Sequence, residues 1–398
     1  MKEVYLDHAA TTYLDPRVLE AMKPHFAEVF ANPSSFHTPG MRAKEAVSDA
    51  RETIAKLVNA NPLEIIFTSG GTESDNLAVV GIVRAHAAKG RHVITTAIEH
   101  HAVLEPLMHL QKHGEIELTI LPVDRDGNVS AEDVAAAIRP DTILVSVMMA
   151  NNEIGTIEPI ADIGREILKW RKGNKTPYPY FHSDACQAAG VCDLDVEKLH
   201  VDLLTVNGSK IYGPKGVGML YVRRGVKLEP LVIGGGQERG IRAGTENVPG
   251  IVGFAAAFKL AQDEKDGENA RLTALRDKLI EGLLAIPKTR LNGHPKDRLP
   301  NNVNVSFLDI EGEAAVLYFD AEGVYVSTGS ACASTSLDPS HVILATGLSY
   351  EAAHGSIRFT LGKRTTEQDI DHVIKVAPGI VEKLRHMSPV NLDMKYFA

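Results

Sequence analysis

The sequence predicts an α/β fold: a large domain with a mostly parallel, seven-stranded sheet, and a smaller α+β domain. As far as residue 224, short β-branched runs alternate with longer helical patterns. Such alternation is typical of a parallel sheet that helices cover on both faces. Near residue 255 the pattern changes to a long charged helix, followed by separated strands and a final amphipathic helix.

The elements of the large domain are defined by β-branched runs with helical stretches between them. We expect strands at 64–69, 92–98, 118–124, 142–150, 180–185, 202–208 and 218–224, and helices at 75–90, 130–139 and 159–173. The smaller domain is predicted to contain a long helix at 256–285 and strands at 301–310, 323–328 and 356–362. The predicted boundaries are 15–255 for the large domain, and 1–14 with 256–398 for the small one.

Composition excludes several classes of protein. The chain has 398 residues, 44% of them hydrophobic, and can bury a large core. Its net charge of −9 argues against a nucleic-acid partner or an anionic membrane. The start MKEVYLDHAATT lacks the apolar segment of a secretion signal, and no run is long enough to span a bilayer. We therefore expect a cytoplasmic protein without a membrane partner.

The cysteines indicate neither a disulfide framework nor a metal site. Three cysteines are an odd number in a long chain. Cys186 and Cys192 lack a second close pair, and His182 is the one imidazole nearby, so we predict no metal.

Ligands of α/β sheets gather at the carboxyl ends of strands, so those junctions are the candidate sites. After the strand at 64–69, Gly70 and Gly71 lead into a helix that begins with Thr72 and Ser74. Glycines and helix-terminal N–H groups suit a bound anion. An ordinary capped turn explains the same letters. A Walker A loop does not, because no lysine follows the second glycine.

Two other strand ends carry opposite charges. Asp184 ends the strand at 180–185, and a carboxylate buried there requires a cation such as a protonated ring nitrogen. Lys210 follows the strand at 202–208, and a desolvated lysine becomes a nucleophilic amine that forms Schiff bases. Lys215, in a Gly-Pro-Lys-Gly turn, is its rival.

These groups together are those that pyridoxal phosphate requires: a lysine, an acid opposite the pyridinium nitrogen and a phosphate anchor. The cofactor also needs a ring stacked on one face. His100 and His101, at the end of another predicted strand, are candidates for that contact. The sequence therefore predicts a pyridoxal phosphate site at this edge of the sheet.

A third feature is the stretch VYVSTGSACAST at 324–335, where a predicted strand gives way to small residues around Cys332. One interpretation is a small loop residue that happens to be cysteine. The other is a nucleophile on a moving arm, because small side chains offer little burial to hold a segment still.

Over nearly its whole length the chain resembles the cysteine desulfurases of the aminotransferase class V family, of the NifS/IscS-like kind. The resemblance rests on ten strings in order: YLDHAATT, NPSSFH, FTSGGTESDN, EHHAV, NNEIGT, SDACQ, GSKIYGPKG, RAGTEN, GSACAS and SIRFTLG. It implies the fold type I architecture of pyridoxal-phosphate-dependent transferases, with the catalytic cysteine loop at about 325–345.

The resemblance also implies a role for each site residue. It assigns Lys210 as the Schiff-base lysine, Asp184 to the pyridine nitrogen, His100 to ring stacking, Gln187 to the phenolic oxygen and Asn152 to cofactor and substrate. Gly71, Thr72 and Ser209 form the phosphate site, which Thr245 of the neighbouring subunit completes in a homodimer. Arg358 receives the substrate carboxylate, and Cys332 attacks the substrate sulfur.

The activity implied is removal of sulfur from L-cysteine, which leaves L-alanine and a persulfide on Cys332. The persulfide would pass to an acceptor such as an iron–sulfur scaffold protein. Either His100 or Lys210 could move the Cα proton. The alternatives are a selenocysteine lyase, another pyridoxal-phosphate-dependent lyase or transaminase, and a silent scaffold. Cys332 argues against a transaminase and against a pyridoxal-phosphate-dependent lyase of another kind. The scaffold is disfavoured by the presence of Lys210, Asp184 and Arg358.

Two positions depart from the pattern of the family. Ser209 stands where members often have histidine, although its hydroxyl can still donate to a phosphate. Cys186 stands where they usually carry a residue without a thiol. We interpret Cys186 as a small buried filler, with a second sulfur acceptor as the alternative.

Overall fold

The computed structural model describes residues 3–329 and 338–397. The strands are β1 (Val4–Tyr5), β2 (Ile65–Thr68), β3 (His92–Thr96), β4 (Glu117–Leu121), β5 (Thr142–Ser146), β6 (Tyr180–Asp184), β7 (Leu203–Asn207), β8 (Gly218–Val222), β9 (Thr289–Asn292), β10 (Asn302–Phe307), β11 (Val324–Tyr325) and β12 (Ser356–Thr360). The α-helices are α1 (Pro16–Met22), α2 (Pro24–Ala27), α3 (Thr38–Leu57), α4 (Gly71–His86), α5 (His101–Lys112), α6 (Ala131–Ala137), α7 (Ile160–Asn174), α8 (Val196–Leu199), α9 (Val248–Asp263), α10 (Lys265–Leu284), α11 (Gly312–Ala321), α12 (His341–Ala345), α13 (Tyr350–Ala353) and α14 (Glu367–Met387).

A seven-stranded sheet organises the first part of the chain, in the order β2-β8-β7-β6-β5-β3-β4. The pairs from β7 to β4 are parallel, whereas β8 is antiparallel to both β2 and β7. The ten residues 208–217 between β7 and β8 are too few for a parallel crossover, which needs about a dozen or more. The predicted α/β fold with a mostly parallel seven-stranded sheet is confirmed.

The second part of the chain is built on smaller sheets. An antiparallel sheet has the order β12-β10-β9, and β1 pairs in parallel with β11. Val4 and Leu6 share a buried apolar cluster with α10, α11 and α14, so the N-terminal segment packs with this part. Helix α9 crosses the predicted boundary at 255 and packs with the large sheet through Phe254 and Phe258. The exact domain boundaries stay a prediction.

For the second part, one prediction was wrong in detail and one strand was missed. The helix expected at 256–285 is two helices, α9 and α10, that meet at Glu264. Arg17 Nη1 and Lys363 Nζ hold the Glu264 carboxylate at this bend, at 2.5 and 2.6 Å. Strand β9 was missed because three of its four residues are only half-buried and show no alternation of apolar and polar side chains.

Among the described helices, none combines the length and apolar character needed to cross a bilayer.

Candidate active site

A cavity of about 550 Å³ lies at the edge of the large sheet where β6 and β7 end. It is the position at which parallel α/β sheets usually bind their ligands. The predicted site residues that line it are Gly71, Thr72, His100, Asn152, Asp184, Gln187, Ser209, Lys210 and Arg358. Residues far apart in the sequence are thus brought together around one space.

Lys210 lies in a short 3₁₀ turn directly after β7. Its Nζ donates to the carbonyl oxygens of Ala9 and Ala10, at 2.7 and 2.6 Å. Lys215 also lines the cavity, and its Nζ donates to the carbonyl of Thr12 at 3.1 Å. Both lysines are therefore held by backbone carbonyls of the N-terminal segment, with Lys210 at the strand end.

Asp184 is the last residue of β6 and is buried. Its Oδ1 accepts the backbone N–H of Cys186 at 2.9 Å, which fixes the carboxylate at the floor of the cavity. Behind it lies His182, whose two ring nitrogens contact Ser146 Oγ at 2.9 Å and Thr205 Oγ1 at 3.0 Å. Burial lowers the pKa of His182 to about 4, so this ring is neutral near pH 7.

Two further acids lie near the floor. Burial raises the pKa of Asp75 well above its usual range, and the charge of Asp184 adds to this rise. Burial likewise raises the pKa of Glu99, whose Oε1 accepts the hydroxyl of Thr96 and the N–H of Met148 at 3.0 and 2.7 Å. Since a buried acid of raised pKa favours its neutral form, these residues add less negative charge than their number suggests.

His100 immediately precedes α5 and caps it. Its Nδ1 accepts the N–H of Ala102 at 3.0 Å, which places the proton of the neutral ring on Nε2. Burial is the main cause that lowers the pKa of His100, and the nearby charge of Lys210 lowers it further. The neutral ring suits stacking against a cofactor.

The start of α4 forms one wall of the cavity. Gly70, in the N-cap position, has a φ of +150° and offers no side chain to cap the helix. The N–H groups of the first turn at Gly71 and Thr72 therefore remain available for an anion. Ser209 lies at the same cavity, with its hydroxyl 3.3 Å from Asn207 Oδ1.

Arg358 projects from β12 and joins the smaller sheets to the cavity. Its Nη1 donates to the carbonyl of Asn152 at 3.2 Å, and its Nη2 to Asp7 Oδ1 at 2.8 Å. The Nε of Arg358 is buried and has no hydrogen-bond partner. A buried guanidinium with an unused N–H can donate a hydrogen bond to a further carboxylate.

The described residues fit pyridoxal phosphate. An uncapped helix start can bind the phosphate, a buried carboxylate can face a ring nitrogen, and an amine is held at the strand end. The volume of the cavity also leaves space for a ring of this size together with a small substrate. Lys210, Asp184 and Gly71 thus bring to one cavity the three kinds of group that the cofactor requires.

Thr245 and Cys332 have different outcomes from the residues that line the cavity. Thr245 is exposed and does not line it. Cys332 lies outside the described residues, so its role stays a prediction. Sequence reasoning assigned no role to Asp75 and Glu99, although both lie within quoted motifs, FTSGGTESDN and EHHAV. Polar residues directly follow both of them in the sequence, so no local pattern indicated that they would be buried.

The model of the family described as "Aminotransferase class-V" matches residues 4–373. This chain belongs to the aminotransferase class-V family. Cysteine desulfurase IscS of Clostridium botulinum (strain Hall) is 54% identical to it over 393 residues, which cover 98% of this chain and 97% of that protein. The solved structures extend this similarity to the fold.

A solved structure of a NifS-like protein matches with a TM-score of 0.88 and 39% identity, and the match covers 97% of this class-V chain and 100% of that one. The structure described as "SspA in complex with cysteine" matches with a TM-score of 0.79 and 36% identity, over 90% of this chain and 98% of that one.

The other two cysteines of this class-V chain are placed differently from one another. Cys186 is buried at the cavity, and burial raises the pKa of its thiol. Cys192 is half-buried, and burial raises its pKa to about 11. The Sγ of Cys186 would lie 2.8 Å from a Cβ added at Gly71, which does not adopt a left-handed φ. The same Cβ would lie 3.1 Å from Asn207 Nδ2, so the thiol is the tighter of two contacts that require glycine at position 71.

This contact generates a prediction for Gly71→Ala. The added methyl should displace the first turn of α4, because overpacking costs about 1–3 kcal/mol. The Kd for pyridoxal phosphate, measured by fluorescence titration, should therefore rise by about tenfold. Cys186→Ala in the same chain should return the Kd to within about threefold of wild type.

The matched control is Gly173→Ala in α7, where a Cβ meets nothing within 4 Å. It should leave the Kd unchanged. A double variant that binds as weakly as Gly71→Ala alone would show that the thiol is not what the methyl meets.

Proposed function

We propose that this chain is a pyridoxal-phosphate-dependent cysteine desulfurase that converts L-cysteine to L-alanine and leaves a persulfide on Cys332. The observation that carries the proposal is the convergence of Lys210, Asp184 and Arg358 on one cavity. The 54% identical relative named cysteine desulfurase IscS and the similar structure with bound cysteine support it.

The atoms and electrons of this reaction balance without an added oxidant. The Cys332 sulfur forms a bond to the substrate sulfur, and the bond between that sulfur and the substrate carbon breaks. The electron pair of the broken bond stays with the carbon, which takes up a proton and becomes the methyl group of alanine. The sulfur is oxidised to a persulfide while the carbon is reduced.

The residues that we propose to hold the cofactor within one subunit line the cavity. Lys210 would bind its aldehyde carbon, Asp184 would face its ring nitrogen, and the α4 start with Ser209 would hold its phosphate. When bound, pyridoxal phosphate supplies an electron sink for bonds broken at the substrate Cα. His100 would cover one face of the ring, and Gln187 would lie near the phenolic oxygen.

Two groups could carry protons at the Cα. Lys210 Nζ is an amine at the strand end, and His100 presents its Nε2 once Nδ1 is used by Ala102. Because the pKa of His100 is lowered, its ring is neutral near neutral pH and can donate the proton that Nε2 carries, whereas accepting a proton there would require the other tautomer. Arg358 and Asn152 would meanwhile orient the substrate from the opposite wall.

A homodimer is part of this proposal. Phe30, Phe36 and Ile233 expose 71%, 97% and 84% of their surface, although they are large apolar residues. Thr245 lies in the chain segment after Arg242, which pairs with Glu73 at 2.8 Å near the α4 start. A second copy would cover the apolar residues and bring Thr245 to the phosphate of its neighbour. A sulfur-acceptor protein is the further partner that we propose.

Cys332→Ser tests the activity directly. The variant should keep pyridoxal phosphate, seen by its absorption, but form essentially no alanine or sulfide from L-cysteine, because a hydroxyl is a far weaker nucleophile than a thiolate. Cys186→Ser and Cys192→Ser are the matched controls and should remain close to wild type. Normal turnover by Cys332→Ser would overturn the proposal. L-selenocysteine in the same assay distinguishes a selenocysteine lyase.

Arg358→Lys tests recognition of the substrate carboxylate. Loss of the paired N–H donors should raise the KM for L-cysteine by about tenfold, since a hydrogen bond to a charged group contributes about 1.5–3 kcal/mol. The absorption of bound pyridoxal phosphate should not change. Arg364→Lys, on an exposed residue that lies over the Tyr13 ring, is the control. An unchanged KM for Arg358→Lys would exclude this role.

The dimer is tested by Phe36→Asp and Ile233→Asp. Both should shift the protein towards a monomer in sedimentation velocity, and the monomer should retain less pyridoxal phosphate because one phosphate ligand is lost. Leu317→Asp changes a residue that is 71% exposed on α11 and should have no effect. A wild-type monomer that is saturated with cofactor and active would refute the shared site.

A further inference from the structure

Glu153 is a buried carboxylate beside the cavity to which no role has been assigned above. It follows Asn152 in the loop between β5 and α7, and only 4% of its surface is exposed. Its Oε2 accepts the hydroxyl of Ser340 at 2.5 Å. Ser340 is the N-cap of α12, and its Oγ also accepts the N–H groups of Val342 and Ile343.

The same oxygen meets the chain at a second place. Gly329 has a φ of +93°, and a Cβ added there would lie 2.8 Å from Glu153 Oε2. Gly329 is therefore packed directly against the carboxylate, with no room for a side chain. Since Gly329 and Ser340 lie on either side of residues 330–337, one carboxylate contacts the chain both before and after this segment.

The position of Glu153 is itself fixed by its backbone. Its carbonyl accepts the side-chain amides of Asn302 and Asn304, at 3.2 and 3.1 Å, and its N–H donates to Asn151 Oδ1 at 2.8 Å. These bonds join the loop to β10. The carboxylate is thus presented from a rigid base rather than from a mobile surface loop.

Arg358, the proposed ligand of the substrate carboxylate, is hydrogen-bonded to residues close in sequence to Gly329 and Glu153. Ser327 and Arg358 exchange backbone hydrogen bonds of 3.2 and 2.7 Å, two residues before Gly329. The side chain of Arg358 donates to the carbonyl of Asn152, the neighbour of Glu153. A displacement of Glu153 would therefore change the distances of Gly329 and Ser340 from Arg358, the proposed ligand of the substrate carboxylate.

We propose that Glu153 is a positioning residue for sulfur transfer: its carboxylate fixes Gly329 and Ser340 at a set distance from Arg358. The proposal rests on the desulfurase function, because Cys332 lies between these two residues in the sequence. A nucleophile must meet its target within a fraction of an ångström, and a misplacement of about 1 Å can cost about a hundredfold in rate. Glu153 does not touch the reacting atoms in this scheme.

The principal test compares Glu153→Ala with Glu153→Gln. Alanine removes both contacts and should lower the kcat for alanine formation by about tenfold or more. The KM for L-cysteine and the Kd for pyridoxal phosphate should stay within about twofold of wild type, because Arg358 and the α4 start are intact. Glutamine keeps an oxygen that can accept from Ser340 and should recover most of the kcat.

Rates of deuterium exchange distinguish a positioning role from a local structural one, because a local role would change the exchange rate at one site alone. In Glu153→Ala, the backbone amides of 324–329 and of 338–345 should both exchange faster, since one carboxylate restrains both. The matched control is Glu158→Ala. Glu158 is equally buried, but its Oε2 accepts the N–H of Val129 instead. It should leave both peptides and the kcat unchanged.

Ser340→Ala removes the partner hydroxyl and should lower the kcat as Glu153→Ala does, with no further loss in the double variant. Ser349→Ala, which removes the analogous N-cap of α13, controls for the loss of a helix cap. A normal kcat in Glu153→Ala, faster exchange on one side alone, or the same effect in Glu158→Ala would overturn the inference. A wild-type protein that forms no alanine would instead refute the desulfurase function, whereas the exchange test of the anchor would still stand.

Discussion

The hydrogen bonds that Lys210 donates to Ala9 and Ala10 join the end of β7 to the N-terminal segment, which packs with the smaller sheets. The same N-terminal segment accepts Gln187 Nε2 on the Ala9 carbonyl at 3.0 Å. Through Asp7 it also reaches Arg358, on a strand of the smaller sheet. The lysine, the glutamine and the arginine are therefore oriented by one short stretch of backbone. This stretch relates the ends of β6 and β7 to β12, together with the bonds that Asn152 and Glu153 make to Arg358, Asn302 and Asn304.

The charges around the cavity follow from burial rather than from residue type. Three acids, Asp75, Glu99 and Asp184, lie within the buried interior near its floor. Burial raises the pKa of the first two, and lowers that of His182, which stands among them. A neutral imidazole and two acids that favour protonation add little charge at the floor of the cavity, where the N–H of Cys186 holds the carboxyl group of Asp184.

The sheet and much of the candidate site could be predicted from the sequence, because apolar β-branched runs mark the strands and charged residues stand where these runs end. Asp184 and Lys210 each stand at the end of an apolar run, and the structure places both at one cavity. Ala9 and Ala10 could not be found in this way, since they act through carbonyls that every residue possesses. The bend at Glu264 was also hidden, because its backbone stays near helical angles and depends on Arg17 and Lys363, which are distant in the sequence.

The burial of Cys186 and Cys192 has a consequence for the selectivity of sulfur chemistry within the chain. Both thiols have raised pKa values, so at neutral pH nearly all of each is in the unreactive, protonated form. Reactive sulfur species generated nearby would find few thiolates at these two positions. Burial thereby lowers the reactivity of Cys186 and Cys192 towards the persulfide that the protein is proposed to form. Unwanted internal disulfides and polysulfide chains at Cys186 and Cys192 would form slowly for the same reason.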